Sequence, residues 1–455
     1  MAEGFHLDSE ISETAPRDVE STRGWAEGFG MQTDIKMDEM GLDYFAVTNQ
    51  DLPADSPILY VPQDFILTGS KAREELFAEQ AEQMLLNNNI LMEKEDDSGR
   101  MLSKFYLFCK ILREYELGDQ SPWYPWLDAL PRYFCNGASL TTFCFECLPP
   151  YAAQLCLEEK FRLNQFVAAL REVSTLGADT KTNVDLTQWA FAVVHTRFQE
   201  MPNGDLSLVP MADFFNHGGY DDINVYVTYD EEGNAYAYST RDIPAGQPLR
   251  ISYGDSTNPS KLLAQYGFLD DSSFATYCKY IIDTPSEEVK TMGYPQQMLF
   301  YNDGNISPAV WDVLLYQNLG KARLNEEQQA FYQAYMAGDE ATKQNYHQQY
   351  FSQTVAELKT HVDYLVNTLD ELEIGIETQI TRGQDAKRHP RLPLLMKHNE
   401  YVKTIFELVQ QNLDNMISWG VSRKTKREKA TWPTMLVVCV GSKQSIKSQW
   451  KEGEE

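Results

Sequence analysis

Two short segments of this sequence hold the residue types best suited to chemistry. The segment 213–217 reads DFFNH and ends in Asn216 and His217, and the segment 251–254 reads ISYG and contains Tyr253. An asparagine amide both donates and accepts hydrogen bonds, which suits it to the edge of a purine. A tyrosine followed by glycine places a phenol where the backbone can be approached closely. A purely structural role also fits the same residues, namely a β-meander with aromatic packing and a turn-capping asparagine.

The stretch between these segments predicts short β elements that would position them. Residues 224–229 and 235–239 have the alternation typical of strands, and DEEGN at 230–234 predicts the turn between them. A Pro-Ala-Gly turn at 244–246 then leads into a predicted strand at 249–253. We therefore expect the Asn-His pair and the Tyr-Gly pair to lie in one region. No Ser/His/Asp order, phosphate-binding glycine-rich loop or metal-ligand spacing competes with them in this stretch.

The order of these segments resembles the C-terminal half of a SET domain. VPMADFFNH at 209–217 is followed by the Pro-Ala-Gly turn, ISYG, Asn258 and then YGF at 266–268. Within that superfamily the sequence is similar to the branch that includes the Rubisco large-subunit lysine methyltransferase and the actin-histidine methyltransferase. The resemblance implies an α+β fold, in which a SET domain of small curled sheets carries a long helical insertion. An all-α, substrate-binding C-terminal lobe would follow it.

The same resemblance implies a cofactor and roles for individual residues. The cofactor is S-adenosyl-L-methionine (AdoMet), with Asn216 and His217 in contact with its adenine and Tyr253 as the catalytic tyrosine of the methyl-transfer channel. Arg197 ends a helix that reads WAFAVVHTR, and it would bind the carboxylate of AdoMet. An arginine can hold a carboxylate with a bidentate fork. The alternative for Arg197 is an ion pair with a nearby acid such as Asp213.

Three aromatic residues are implied as walls of the substrate channel, namely Tyr226, Tyr266 and Phe268. Methyl transfer to nitrogen needs a deprotonated, desolvated amine in line with the sulfonium methyl, and a narrow aromatic channel provides this. Each tyrosine could equally belong to the core, because the chain contains 25 tyrosines.

The predicted cofactor turn departs from the family pattern. Gly41 and Leu42 are expected to contact AdoMet, but the second glycine of the usual G-x-G is replaced by Asp43. An aspartate restricts the backbone and carries a negative charge that repels the carboxylate of AdoMet. The ammonium and sulfonium groups of AdoMet could compensate for this repulsion.

Periodicity and composition predict how the chain divides. Seven apolar residues between Val355 and Ile376 recur at spacings of three and four, which predicts a long amphipathic helix. Near the N-terminus, 25–31 and 43–47 are expected to be short β segments. A basic run at 423–429 suggests a nuclear localisation signal, an anionic-surface patch or a solvated segment. The predicted parts are a SET domain at 22–283, a helical insertion within it at 71–185, a helical substrate-binding lobe at 295–420, and a basic tail at 421–455.

Composition limits the partners and the location. The formal net charge of −28 argues against nucleic acid and favours either solubility or a basic protein partner. Cys144 and Cys147 form the only CxxC, without a second pair at zinc spacing, so no metal site and reduced thiols are predicted. The sequence has no apolar stretch that suggests a membrane span and no signal or transit peptide at its start. We expect a cytoplasmic or nuclear monomer.

The resemblance implies AdoMet-dependent protein-lysine N-methylation. Many histone-directed SET enzymes carry a cysteine-rich zinc segment after the Tyr-Gly motif, and none follows Tyr253, so a non-histone target is expected. A histidine target is an alternative in this branch. A second reading, from another class, is a SET-fold protein-binding module with weakened catalysis, which Asp43 supports. The presence of Asn216, His217 and Tyr253 together favours the enzyme.

Overall fold

The computed structural model describes residues 11–33, 35–40, 43–87, 96–219 and 221–425. The chain forms two compact units. The first comprises the described residues up to Glu146 together with Ala152–Asp255 and Ser260–Phe268. The second comprises Cys147–Tyr151, Ser256–Pro259 and the described residues from Leu269 onwards.

The first unit contains four small sheets in the part that the structure describes. The largest has the strand order β1-β4-β10-β9, and the others are β2-β3, β5-β7-β6 and the pair β8-β11. Only β8 and β11 pair in parallel among these described strands. The strands are β1 Gln32–Thr33, β2 Ile35–Met40, β3 Asp43–Thr48, β4 Pro57–Val61, β5 Leu67–Thr68, β6 Gln199–Glu200, β7 Leu206–Leu208, β8 Asn216–His217, β9 Val225–Tyr229, β10 Ala235–Ser239 and β11 Arg250–Ile251.

Helices fill most of the predicted insertion, and one long apolar core holds them together. Phe166 contacts Phe105, Phe108 and Phe191 with ring centroids 5.4, 5.7 and 5.6 Å apart, so three of the long helices meet at one aromatic centre. The helices of this unit are α1 Glu20–Gly28, α2 Gly69–Leu76, α3 Glu79–Asn87, α4 Asp96–Leu117, α5 Tyr124–Ala129, α6 Thr142–Glu146, α7 Pro150–Leu170, α8 Ala178–Thr182, α9 Val184–Arg197 and α10 Pro259–Tyr266.

Helix α1 corrects the prediction of a β segment at 25–31. Its buried residues, Thr22, Trp25 and Ala26, follow a spacing of three and four, which is the period of a helix and not of a strand. Trp25 also donates from Nε1 to the backbone carbonyl of Pro122 at 2.7 Å. Burial of Trp25 therefore determined the secondary structure of a segment whose short local pattern was ambiguous.

The second unit contains one two-stranded sheet and five helices in the described residues. The first strand of this sheet has three residues, and Lys279, with a φ of 57°, does not continue it. The elements are β12 Ala275–Tyr277, β13 Leu299–Tyr301, α11 Glu287–Thr291, α12 Pro308–Lys321, α13 Asn325–Ala337, α14 Glu340–Thr381 and α15 Leu392–Thr425.

Helix α14 carries the predicted apolar stripe. Val355, Leu358, Val362, Leu369 and Ile376 are buried on it. The first four join one core cluster with residues of α15 such as Phe406, since both helices present apolar faces at the same spacing. No helix in the described ranges is long and apolar enough to cross a membrane. The part of the basic run beyond Thr425 lies outside the described residues.

Candidate functional site

Parallel pairing of β8 with β11 brings the two sequence motifs together. Asn216 is in register with Arg250, and His217 with Ile251. The pairing is extended by the backbone of Gly218, which donates to the carbonyl of Ile251 at 3.0 Å. Arg250 also donates from Nη1 to the carbonyl of His217 at 3.2 Å. The Asn-His segment is therefore fixed directly beside the strand that leads into Tyr253.

Tyr253 is tied to the Asn-His segment at two points. Its hydroxyl donates to the backbone carbonyl of Phe215 at 2.8 Å. Its backbone N–H donates to Nδ1 of His217 at 3.1 Å. Nδ1 can accept this hydrogen bond only when it carries no proton, so the bond favours the neutral tautomer with the proton on Nε2. The tautomer of His217 and the position of Tyr253 are thereby linked.

Four rings form what we call the aromatic cluster: His217, Tyr253, Tyr266 and Phe268. The ring of Tyr253 lies 4.9 Å from that of Tyr266 and 5.5 Å from that of His217, while Phe268 lies 5.3 Å from His217. The hydroxyl of Tyr266 donates to the backbone carbonyl of Tyr253 at 3.1 Å. Burial, together with the negative charge of Glu159, raises the pKa of Tyr266 to about 12, so this phenol keeps its proton at neutral pH.

Gly267, between Tyr266 and Phe268, lies where the backbone leaves no room for a side chain. Its φ is +80°, and a Cβ at this position would lie 2.6 Å from the backbone nitrogen of Asn136 and the carbonyl carbon of Cys135. A side chain here would meet rigid backbone as well as an unfavourable backbone conformation. The glycine of the YGF motif is therefore required by a close approach of two chain segments.

Arg197 and Asp213 form an ion pair inside the first unit. Nη1 of Arg197 lies 3.1 Å from Oδ2 of Asp213 and also donates to the backbone carbonyl of Asp213. Trp126 donates from Nε1 to both carboxylate oxygens of Asp213 at 3.3 Å. Burial raises the pKa of the Asp213 carboxyl above its usual value, against the opposing positive charge of Arg197. This pair is the alternative that the sequence left open for Arg197.

The remaining predicted residues lie elsewhere or outside the described chain. Tyr226 lies on β9 of the four-stranded sheet, is 44% exposed, and stacks on Tyr238 with ring centroids 5.5 Å apart. Gly41 and Leu42 lie outside the described residues, and Asp43 begins β3, where it is in register with the last residue of β2. The structure thus joins Tyr266 and Phe268 to Tyr253 and places Tyr226 on a different sheet.

Sequence reasoning missed the contribution of Trp126 and the hydrogen bond between His217 and the backbone of Tyr253. Trp126 is fully buried, and its indole N–H also supports Asp213. Burial of polar atoms requires partners, so an indole near a buried carboxylate is a usable signal once the fold is known. No local pattern announces a hydrogen bond between residues as far apart in sequence as His217 and Tyr253.

Comparison with known families and solved structures identifies the fold as that of SET domains. The family model described as the SET domain matches residues 43–254, a range that lies in the first unit apart from Cys147–Tyr151. Two solved structures are similar to this chain over most of its length. The structure of Rubisco LSMT bound to AdoMet has a TM-score of 0.57 and 14% sequence identity, and the match covers 93% of this chain and 99% of that one.

The crystal structure of the SET domain of LSMT bound to lysine and AdoHcy has a TM-score of 0.55 and 14% identity, and covers 87% of this chain and 91% of that one. Comparison with curated proteins gave no match. At this level of identity the two structures establish the fold, and the predicted α+β SET architecture with a long helical C-terminal region is confirmed.

Proposed function

We propose that this chain is an AdoMet-dependent protein-lysine N-methyltransferase that acts on a non-histone protein. The observation that carries the proposal is the aromatic cluster. It joins Tyr253 by two hydrogen bonds to the segment containing Asn216 and His217, inside a stretch that matches the SET domain. The similar structures contain AdoMet or AdoHcy, and one of them contains lysine, which supports the choice of cofactor and target.

The donor groups of the site fit AdoMet. Asn216 offers an amide, and the rings of His217 and Phe268 offer aromatic faces to a purine. Nε of Arg197 is buried without a hydrogen-bond partner among the described residues, and a guanidinium with a remaining donor can still bind a carboxylate. AdoMet, when bound, would supply an electrophilic methyl group on a positively charged sulfur. We propose Asn216, His217, Phe268 and Arg197 as the residues that hold it.

The chain's own contribution is to exclude water and to orient the acceptor amine. The Tyr253 hydroxyl uses its proton on the carbonyl of Phe215, which leaves its oxygen lone pairs able to accept from the N–H of an amine. Tyr266 keeps its proton and holds the backbone of Tyr253 in place. Such positioning, rather than strong acid or base catalysis, is what transfer to a neutral amine requires.

A non-histone substrate is supported by the sequence after Tyr253. The only later cysteines are Cys278 and Cys439, so the chain lacks the cysteine-rich zinc segment of many histone-directed SET enzymes at that place. The strongly acidic balance, with a net charge of −28, favours a basic protein substrate.

Calorimetric titration of AdoMet into the full-length protein tests the cofactor assignment. We expect binding to the native protein and loss of binding in Asn216→Ala. The matched control is Asn367→Ala, which removes an exposed amide on α14 and should bind like the native protein. No heat of binding at millimolar AdoMet, in a protein shown to be folded, would overturn the enzyme and leave a partner-binding SET fold.

A transfer assay tests the reaction and the target. We expect isotope-labelled methyl groups to pass from AdoMet to a protein acceptor, and mass spectrometry to place them on lysine side chains. Tyr253→Phe should lower kcat by about a hundredfold, the cost of a small misplacement of reacting groups, with AdoMet affinity nearly unchanged. Label on histidine imidazoles instead of lysine would overturn the lysine assignment while keeping the methyltransferase class.

A further inference from the structure

Four tyrosines form a continuous row on the largest sheet of the first unit, which we call the tyrosine row: Tyr60, Tyr236, Tyr238 and Tyr226. Tyr60 and Tyr236 face each other across β4 and β10 with ring centroids 5.1 Å apart. Tyr236 and Tyr238 are 6.2 Å apart along β10, and Tyr238 and Tyr226 are 5.5 Å apart across β10 and β9. The row therefore spans three neighbouring strands.

The tyrosine row lies on the outer face of the sheet. Residues that alternate with it on the same strands, including Leu59, Val61 and Ala237, are buried in the core. Tyr226 is 44% exposed, and the other three tyrosines are partly exposed. Because successive side chains of a strand point to opposite faces, the four rings share the side that faces away from this core.

The spacing of the rings matches an extended peptide. The planes of Tyr236 and Tyr238 are within 15° of parallel, and their centroids are 6.2 Å apart. Alternate side chains of an extended chain recur at about 6.6–6.8 Å. A peptide lying along β10 could therefore place two alternate side chains over Tyr236 and Tyr238. Aromatic faces attract cations, arginine and lysine above all.

Acidic residues at both ends of the row favour a cationic occupant. The turn at 230–232 reads DEE, and Asp230 accepts a hydrogen bond from the Tyr236 hydroxyl at 3.1 Å. At the opposite end the exposed pair at 221–222 is Asp-Asp. Arg241 lies at this end and donates to a backbone carbonyl of that pair at 2.7 Å. A chain with a net charge of −28 adds a long-range attraction for positive charge.

The row also leads towards the aromatic cluster. Asn224, two residues before Tyr226, receives a hydrogen bond from the backbone N–H of Arg250 at 2.7 Å and donates its own N–H to the Arg250 carbonyl at 3.1 Å. Arg250 belongs to β11, which continues into Tyr253 three residues later. A peptide bound on the row would thus have its Tyr226 end nearest the strand that carries Tyr253.

We propose that the tyrosine row is a docking surface for an extended segment of the protein substrate that carries arginine or lysine at alternate positions. This proposal rests on the proposed methyltransferase function, because the docking surface would select the class of protein substrate. Binding to the row itself needs neither AdoMet nor turnover. The two can therefore fail separately.

Fluorescence anisotropy with the full-length protein tests the surface directly. The probe is a labelled peptide that alternates arginine and serine, which has no lysine to methylate, and the comparison peptide alternates glutamate and serine. In about 0.1 M salt we expect binding of the first peptide and none of the second, with affinity falling steeply as salt rises. Equal binding of the two peptides, or no binding of either, would overturn the proposal.

Paired variants identify the rings as the cause. Tyr236→Phe with Tyr238→Phe keeps both aromatic faces and should bind within about twofold of the native protein. Tyr236→Leu with Tyr238→Leu should weaken binding about tenfold, since each exposed cation–aromatic contact is worth a factor of about two to five. The matched control Tyr364→Leu changes a tyrosine that is 59% exposed on α14 and should leave affinity unchanged.

Stacked tyrosine pairs also stabilise a sheet, so each variant's unfolding midpoint is measured alongside its affinity. If the double leucine variant does not fold, Tyr226→Leu alone replaces it, with an expected weakening of about two- to fivefold. A folded leucine variant that binds the arginine peptide like the native protein refutes the docking surface. AdoMet binding with no peptide binding would remove only this surface, whereas peptide binding without AdoMet binding would remove only the methyltransferase.

Discussion

Replacement of Arg197 by methionine should lower the free energy of unfolding of the first unit by about 3–5 kcal/mol near neutral pH. The Asp213 side chain is 0% exposed, and Arg197 is 12% exposed. At the 3.1 Å separation of Nη1 and Oδ2, an effective dielectric constant of about 20 gives an attraction of roughly 5 kcal/mol. Methionine would keep much of the volume of Arg197 and leave the Asp213 carboxylate buried without its counter-ion.

The loss should depend on pH in a defined direction. Burial already raises the pKa of Asp213, and Arg197 opposes that rise. Without Arg197 the pKa of the folded carboxyl moves further above its unfolded value. The unfolded state then releases its proton first as pH rises, so stability is lost with increasing pH. The deficit of Arg197→Met should therefore be small in acid and grow towards neutral and alkaline pH.

Urea unfolding followed by circular dichroism, across this pH range, measures the effect in four proteins: native, Arg197→Met, Asp213→Asn, and the double variant. Asp213→Asn in the Arg197→Met background removes the unpaired charge, so the double variant should be more stable than Arg197→Met at neutral pH. Arg241→Met, an exposed change, is the matched control. A deficit below about 1 kcal/mol that does not vary with pH would refute the reasoning. If such a variant also lost AdoMet binding, Arg197 would be a cofactor residue with no structural role.

Three further predictions concern single residues. Gly267→Ala should cost about 2–4 kcal/mol of stability, because its φ is +80° and its Cβ would press on the backbone of Asn136. Lys279→Met should stabilise the second unit at about pH 7, with the gain shrinking towards about pH 10. Burial lowers the pKa of Lys279 to about 7 in the folded state. In this pH window the unfolded state of the protein with Lys279 therefore binds more protons than its folded state, and the stability of that protein rises with pH. His217→Asn keeps an acceptor near the Nδ1 position and should retain more kcat than His217→Leu, which leaves the Tyr253 N–H without its acceptor.

Urea midpoints check the first two of these predictions. A Gly267→Ala protein as stable as the native one would show that the chain relaxes around the new methyl group. A Lys279→Met advantage that stays constant with pH would contradict the lowered pKa. For His217, steady-state kinetics separate kcat from KM, and equal kcat in the asparagine and leucine variants would show that the hydrogen bond does not position Tyr253.

Local patterns predicted the parts of the fold whose period is long and regular. The stripe from Val355 to Ile376 lies in α14 as expected, since many turns of one period leave little ambiguity. The β9–β10 hairpin followed from alternation and a glycine-containing turn. Short segments were harder: α1 was predicted to be β, because a few residues around Trp25 do not distinguish the two periods.

For the site, the sequence by itself determined which residue types were available and which motifs had to meet. Asn216, His217 and Tyr253 stood out from residue chemistry and from the order of motifs. Only the tertiary structure decided their contacts. The parallel pairing of β8 with β11 sets the hydrogen bond from Tyr253 to Nδ1 of His217. A contact between residues far apart in sequence depends on chain packing, which no local pattern encodes.

The same distinction, between what residue types allow and what tertiary packing decides, applies to Arg197 and to the tyrosine row. The sequence showed that Arg197 could bind a carboxylate, and the tertiary structure placed the buried carboxylate of Asp213 3.1 Å from its Nη1. Alternation in β10 showed that Tyr236 and Tyr238 share a face. The registers of β4, β10 and β9 then added Tyr60 and Tyr226 to that face. Residue types fix what a side chain can do, whereas strand register and burial fix what it meets, because both arise from packing against distant parts of the chain.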